Sequence, residues 1–243
     1  AGDATVIKTK SLTLYIHDGF YMEAYDANGH LLMEDYRGQR VKKVALDQKA
    51  ADLLEAEGHD ASKLAGGDYA VQTLKVLAPE DSFYGLGDKS GFLNKRHYEY
   101  ENWNSDLPQA HTEDFHALYK SIPFLICLRK DCVYGLFFDN TFHSYLNLGK
   151  ESEEYFCYGA DDGNLDYYIL GGESMADVIK NYTYLTGRTP LPQLWTLGYQ
   201  QSRWGYTSAK DIMEVAEQYR KLQIPCDVIH LDIDYMDNFK VFT

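Results

Sequence analysis

The chain has 243 residues, 45% of them hydrophobic and 25% charged, which is ordinary for a soluble globular protein of one large domain or two smaller ones. A formal net charge of −14 excludes nucleic acid as a partner, since phosphate contacts need a surplus of Lys and Arg, and suits a neutral or cationic small substrate. No apolar stretch reaches membrane-spanning length, so no membrane partner is expected. The opening "AGDATVIKTK" lacks both a signal-peptide layout and an initiator Met, which points to further sequence upstream.

In chain order, "SLTLYIHDGFYMEAYDANGHLLMED" alternates apolar and polar residues at Leu12, Leu14 and Ile16. It turns at His17-Asp18-Gly19 and again at Ala27-Asn28-Gly29, so it reads as antiparallel hairpins. "LDQKAADLLEAEG" spaces Leu46, Ala50, Leu53 and Leu54 as a short amphipathic helix. From Tyr69 to Leu170 short strands resume: "YAVQTLKVLA", "SIPFLICLRKDCVYGLFFDN", "HSYLNLG", "SEEYFCYG" and "LDYYILGG". Gly, Asp and Asn punctuate them, as in an all-β sandwich. The glycines of "FYGLGDKSGFLNKR" suggest tight turns, and Tyr98 to Asp114 reads as a long polar-aromatic loop reaching toward a neighbouring site.

Near Glu173 the period changes. "ESMADVIKNYTYLTG" is a helix with Ser174 and Asp177 as capping box, Gly187 as stop, and Met175, Val178, Ile179, Tyr182 and Leu185 on one face. "RTPLPQ" then forms a joint, dividing the chain into a sandwich domain, 1–187, and a second domain, 188–243. The latter reads as strand ("LWTLGYQQSRW"), helix ("TSAKDIMEVAEQYRKLQIP") and strand ("CDVIHLDIDYM", apolar enough to be buried on both faces). The helix has Ser208/Asp211 as capping box and a stripe of Ile212, Val215, Ala216, Tyr219 and Leu222. Such a β-α-β crossover builds parallel sheets, and a (β/α)8 barrel needs about 250 residues, so this is at most a barrel's opening. The fold class is therefore mostly β: an N-terminal antiparallel β-sandwich followed by the first β-α-β of an incomplete barrel.

Three constellations could carry chemistry. Asp232 and Asp234, two apart on a strand, would hold their carboxylates roughly 6–7 Å apart on one face, near the roughly 5–9.5 Å of a glycosidase acid pair. Such a pair must flank the scissile bond from different sides, so one aspartate reads instead as an acceptor for substrate hydroxyls and another as structural. The plainer alternative is a solvated loop. In "QSRWGY", Trp204 beside Arg203 is either a sugar-stacking platform or a packed core residue with a structural ion pair. The third is the Tyr98–Asp114 loop. His97, His111 and His116 show no ligand spacing, so no metal site is expected. Cys127, Cys132, Cys157 and Cys226 form no CxxC pair and read as free thiols of a reducing compartment, the cytoplasm.

"FYGLGDKSGFLNKR", "PFLICLRKDCVYGLFFDN", "PLPQLWTLGYQQSRWGY" and "IPCDVIHLDIDYMDNFKVFT" resemble glycoside hydrolase family 31, the α-glucosidase group, from about Leu12 to Thr243. The resemblance implies a retaining α-glucosidase that takes terminal glucose from α-linked oligosaccharides through a glucosyl-enzyme intermediate. It implies no metal or organic cofactor. By position, Asp232 would bind the 4-hydroxyl of the non-reducing glucose, Ile233 would line that pocket, Trp204 would border the sugar subsites, and Asp106 would reach across to the next subsite. The family's nucleophile lies in a W-x-D-M-N-E-like motif on a later strand and its acid/base later still, so no catalytic carboxylate is expected here. The partners expected are an α-glucoside oligosaccharide and the remainder of the barrel, which would begin after Thr243. A non-catalytic carbohydrate-binding or interaction module, or a related α-xylosidase or transglucosidase, is the alternative.

Overall fold

The computed structural model of the protein describes residues 4–40, Ala56 and 70–243. Apart from Ala56, the helix expected over 46–58 lies outside the described residues. The chain divides into two compact units, Ala1–Gly187 and Arg188–Thr243.

In the first unit, β1 (Thr5–Lys8), β2 (Leu12–Ile16), β3 (Met22–Asp26) and β4 (Leu31–Glu34) form an antiparallel meander. Its turns are those the sequence announces. Gly19 takes φ 78 between β2 and β3, a left-handed conformation that suits glycine. The Asp26 carboxylate accepts from the amides of Asn28 and His30, both at 2.8 Å, and so closes the turn into β4.

Eight strands make two further antiparallel sheets. One is ordered β5 (Val71–Val76), β11 (Tyr155–Ala160), β10 (Ser144–Asn147), β7 (Glu99–Asn102). The other is ordered β12 (Tyr167–Gly172), β9 (Cys132–Phe138), β8 (Ser121–Arg129), β6 (Ser82–Gly87). Period-two alternation decides where each side chain goes. Leu125 and Cys127 of β8 and Tyr134, Leu136 and Phe138 of β9 meet Tyr100, Leu146, Phe156 and Tyr158 of the facing sheet in one core. Phe138 stacks on Tyr158 at 4.0 Å between ring centroids, and Phe83 tilts against Phe156 at 5.0 Å. This is a β-sandwich.

The opposite face of β8 and β9 is also apolar, because helix α1 (Met175–Thr186) lies on it. Phe124, Ile126 and Val133 pack under Val178, and Phe124 stacks on Tyr182 at 3.9 Å. Gly135 permits that approach: a Cβ there would come within 2.7 Å of Val178 and 2.8 Å of Phe124. The stripe of α1 is narrower than expected, since Ile179 and Leu185 are exposed. Ser174 caps the helix by accepting from the Asp177 amide at 3.2 Å, and Gly187 ends it with its amide donating to Thr183 O.

Two readings of this unit need correction. β7 occupies the start of the supposed Tyr98–Asp114 loop, and β6 takes up the first glycines of "FYGLGDKS". In β7 the buried Tyr100 and Asn102 alternate with Glu99 and Glu101, so its inward face carries few of the aliphatic residues that usually mark a strand. Lys75 of β5 is buried as well. Its ammonium pairs with Asp35 and donates to the Tyr167 hydroxyl at 2.7 Å, and burial lowers its pKa.

The second unit is a parallel strand–helix–strand: β13 (Gln200–Ser202), α2 (Ala209–Lys221) and β14 (Val228–His230). Its strands are shorter than expected. Leu194–Leu197 is a 3-10 turn, and β14 stops at His230, half-buried at Val228 and Ile229 rather than covered on both faces. The three-pair ladder from Gln200↔Val228 to Ser202↔His230 explains this, because among the described residues each strand has only the other to pair with. In this unit only Cys226 is buried; the stripe of α2 is half-buried, and Leu222 is exposed.

Helix α2 begins at a full capping box. The Asp211 amide donates to Ser208 Oγ at 3.2 Å, and the Ser208 amide donates to Asp211 Oδ2 at 2.9 Å. With its apolar stripe only half-buried, α2 leans on this cap. Ser208→Ala is expected to cost about 1 kcal/mol of helix stability, seen as faster amide exchange in its first turns. Unaltered exchange there would contradict this.

Candidate functional site

Two of the residues expected to act, Trp204 and Asp232, follow the ends of β13 and β14. Ser202 pairs with His230, and two residues beyond each strand stand Trp204 and Asp232. Parallel neighbours lie about 4.8 Å apart, so a fixed register brings an indole and a carboxylate out at the same, C-terminal, end of adjacent strands. In parallel barrels that end carries the site.

The local sequence builds this end rigidly. Gly198 lets the chain into β13 pass Asp227, whose carboxylate a Cβ would strike, while the Asp227 amide donates to Tyr199 O at 2.9 Å. The Gln201 side chain is held on both ends. Its Oε1 accepts from the hydroxyls of Tyr199 at 2.6 Å and Tyr219 at 2.8 Å, and its Nε2 donates to the Tyr206 hydroxyl at 3.2 Å. Strand, following loop and α2 are thereby tied together. The Tyr219 phenol is raised to about 12, first by its hydrogen bond with Tyr199. Gln200 Oε1 meets His230 Nε2 at 2.7 Å across the two strands. This glutamine–tyrosine lattice was not read from the sequence; its only signal was "GYQQS", two amides beside a tyrosine in a short strand.

Trp204 is 75% exposed, and Arg203 makes no ion pair among the described residues. The indole lines a cleft of about 940 Å3 with Tyr206, Asp211, Gln218 and Tyr219, whereas Asp232 and Ile233 lie outside that lining. Both are exposed. The carboxylates of Asp232 and Asp234 accept no hydrogen bond from the described residues, while Asp237 Oδ1 accepts from Asn238 at 2.6 Å within a 3-10 turn.

Asp232 and Asp234 do not share a strand face, since β14 ends before both. They emerge from one strand end, so the argument that neighbours cannot flank a scissile bond rests on that common origin. Asp106 belongs to the first unit, in the loop after β7. It is exposed, and its Oδ1 accepts from the Tyr119 hydroxyl at 2.7 Å, which raises the tyrosine's pKa. Among the described residues no group of three His, Cys, Asp or Glu gathers as a metal site.

The first unit is thus an antiparallel sandwich and the second a parallel strand–helix–strand. Residues 1–147 match the family described as the glycosyl hydrolase 31 N-terminal galactose mutarotase-like domain, and residues 189–243 match the glycosyl hydrolases family 31 TIM-barrel domain. The chain belongs to glycoside hydrolase family 31.

Among its relatives, alpha-glucosidase 2 of Bacillus thermoamyloliquefaciens is 41% identical over 232 residues, covering 91% of this chain and 29% of the relative. An alpha-glucosidase of Saccharolobus solfataricus is 30% identical over 169 residues, 70% of this chain and 24% of that protein. A mutant GH31 dextranase of Flavobacterium johnsoniae complexed with isomaltotriose superposes with a TM-score of 0.77 at 32% identity, over 96% of this chain and 26% of that one. The chain thus spans less than a third of the length of the curated relatives it matches.

Proposed function

We propose that this chain supplies the sugar-recognition side of a retaining α-glucosidase that removes terminal non-reducing glucose from α-linked oligosaccharides, and that it carries neither catalytic carboxylate. The observation behind this reading is that Trp204 and Asp232 each follow a parallel strand of the second unit by two residues. The alpha-glucosidase relatives and the isomaltotriose held by the dextranase support the substrate class. In this reading the exposed Asp232 carboxylate accepts from glucose hydroxyls by charge-assisted bonds. Ile233 gives the pocket an apolar wall, and Trp204 borders the sugar with its ring face. The oligosaccharide and the remaining strands of the barrel are the partners.

The test is turnover of an aryl α-glucoside by residues 1–243, alone and joined to the remaining strands of a family 31 barrel. The chain alone is expected to give none and the joined protein to give turnover; activity of 1–243 by itself would overturn the assignment. A cytoplasmic location belongs to the same proposal. It is supported by four free cysteines, with burial raising the Cys157 thiol to about 11.

A further inference from the structure

The first unit holds a second place suited to a sugar. Between the end of β7, the start of β8 and the turn after β9 lies an open cleft of about 500 Å3, lined by Asn102, Trp103, Ser121, Phe137, Asp139 and Phe142 among others. That is a volume usual for small-ligand sites, roughly 300–1,000 Å3. Two of its aromatic rings are presented rather than packed away, Trp103 being 57% exposed and Phe142 48%.

The Trp103 ring is backed by another ring, and the turn that carries Phe142 is fixed by hydrogen bonds. Trp103 lies against the His143 ring at 5.0 Å. His143 is itself fixed by Glu101 at 3.2 Å, Asp161 at 3.3 Å and the Tyr145 hydroxyl at 2.9 Å. The Phe142 amide donates to Asn140 Oδ1 at 2.8 Å, and Asn140 Nδ2 donates to the carbonyls of Asp162 at 2.9 Å and Asn164 at 3.2 Å. Anchoring of this kind lowers the ordering cost of binding.

The polar side of the cleft is unfinished. Asn102 is 8% exposed, and its Nδ2 donates to Ser144 Oγ at 3.0 Å, but its Oδ1 has no partner among the described residues. Ser121 Oγ, also buried, has none either. Buried acceptors left unpaired are costly. The amide oxygen calls for a donor, and the serine hydroxyl can give or accept. No cationic side chain lines the cleft, and Asp139 does, so an anion is disfavoured. Aromatic faces, an orphan acceptor, an adaptable hydroxyl and no positive charge together describe a neutral polyhydroxylated ring.

We propose that this cleft binds a hexose unit of a neutral glucan, stacked on Trp103 with its hydroxyls directed toward the side of the cleft that Asn102, Ser121 and Asp139 line. The site lies wholly in the first unit and uses neither Asp232 nor Trp204, so it stands or falls separately from the proposed activity. Maltotriose titrated into the 15N-labelled 243-residue chain tests it. The Trp103 indole N–H signal, identified by its loss in Trp103→Phe, is expected to shift saturably. Trp103→Ala is expected to weaken the titration read at β8 and β9 amides about tenfold. Absence of a saturable Trp103 shift near the solubility limit of the sugar would overturn the proposal. So would an equal shift with sorbitol, a polyol without a ring. Should Trp103→Ala unfold the unit, the unsubstituted chain's titration decides alone.

Discussion

Asp81→Ala is expected to lower the stability of the first unit by about 3–5 kcal/mol, the usual consequence of removing one partner from a buried ion pair. Asp81 sits in the turn between β5 and β6 with its side chain fully enclosed. Its two oxygens take a bidentate grip from Arg129, Nε at 2.7 Å and Nη2 at 2.9 Å, and Oδ2 also accepts from the Ala78 amide at 2.9 Å. The same guanidinium donates from Nη1 to Leu31 O at 3.2 Å, so one pair joins the β1–β4 meander to the sandwich. Alanine would leave Arg129 charged and enclosed beside the core, with no second acid to receive it in this geometry. Hydrogen bonding to Asp81 holds the arginine's pKa above its ordinary value despite its burial. With a urea dependence of about 1–3 kcal/mol per molar, the loss corresponds to a midpoint lower by on the order of 2 M. A midpoint drop under about 0.5 M would show that the pair is replaceable by packing alone.

Where period and turn chemistry point the same way, the sequence and the structure agree. The β2–β3 and β3–β4 turns follow from Asp-Gly and Asn-Gly, and β8 and β9 follow from long apolar runs bounded by Lys130-Asp131. Helices α1 and α2 start at the serines that the capping pattern singles out. β6 and β7 were hidden for a physical reason. Glycine and glutamate fill positions whose strand character comes from ladder partners distant in sequence: Gly85 opposite Leu125, and Glu101 opposite Tyr145. Tertiary pairing decides such segments, and local propensity does not carry it. Lys75 shows the same limit, since a lysine in an alternating strand reads as solvent-facing until Asp35 and Tyr167 are seen around it.

The candidate site was legible in part. That Trp204 and Asp232 leave neighbouring strands at one end follows from the β-α-β pattern, and the three-pair ladder sets their register. The lengths of those strands were overread, because apolar residues such as Leu194, Leu197, Leu231 and Ile233 look like strand interior whether or not a ladder partner is present. All four are exposed here. The hydrogen bonds that hold Gln201 could not be read from spacing, because Tyr219 reaches it from a helix 18 residues away.

Asp232 carries the central claim. If its carboxylate accepts from two glucose hydroxyls, each charge-assisted bond contributes roughly 1.5–3 kcal/mol. Deleting both should then weaken binding by two to three orders of magnitude or more, at about 1.4 kcal/mol per factor of ten. The substitution should leave the fold intact, because the side chain is exposed and accepts no hydrogen bond from the described residues. The decisive measurement is the inhibition constant of a glucose-like iminosugar for the protein with its complete barrel, compared with its Asp232→Ala variant. A rise of about a hundredfold or more is predicted, and an unchanged constant would contradict the assignment of this strand end to glucose recognition.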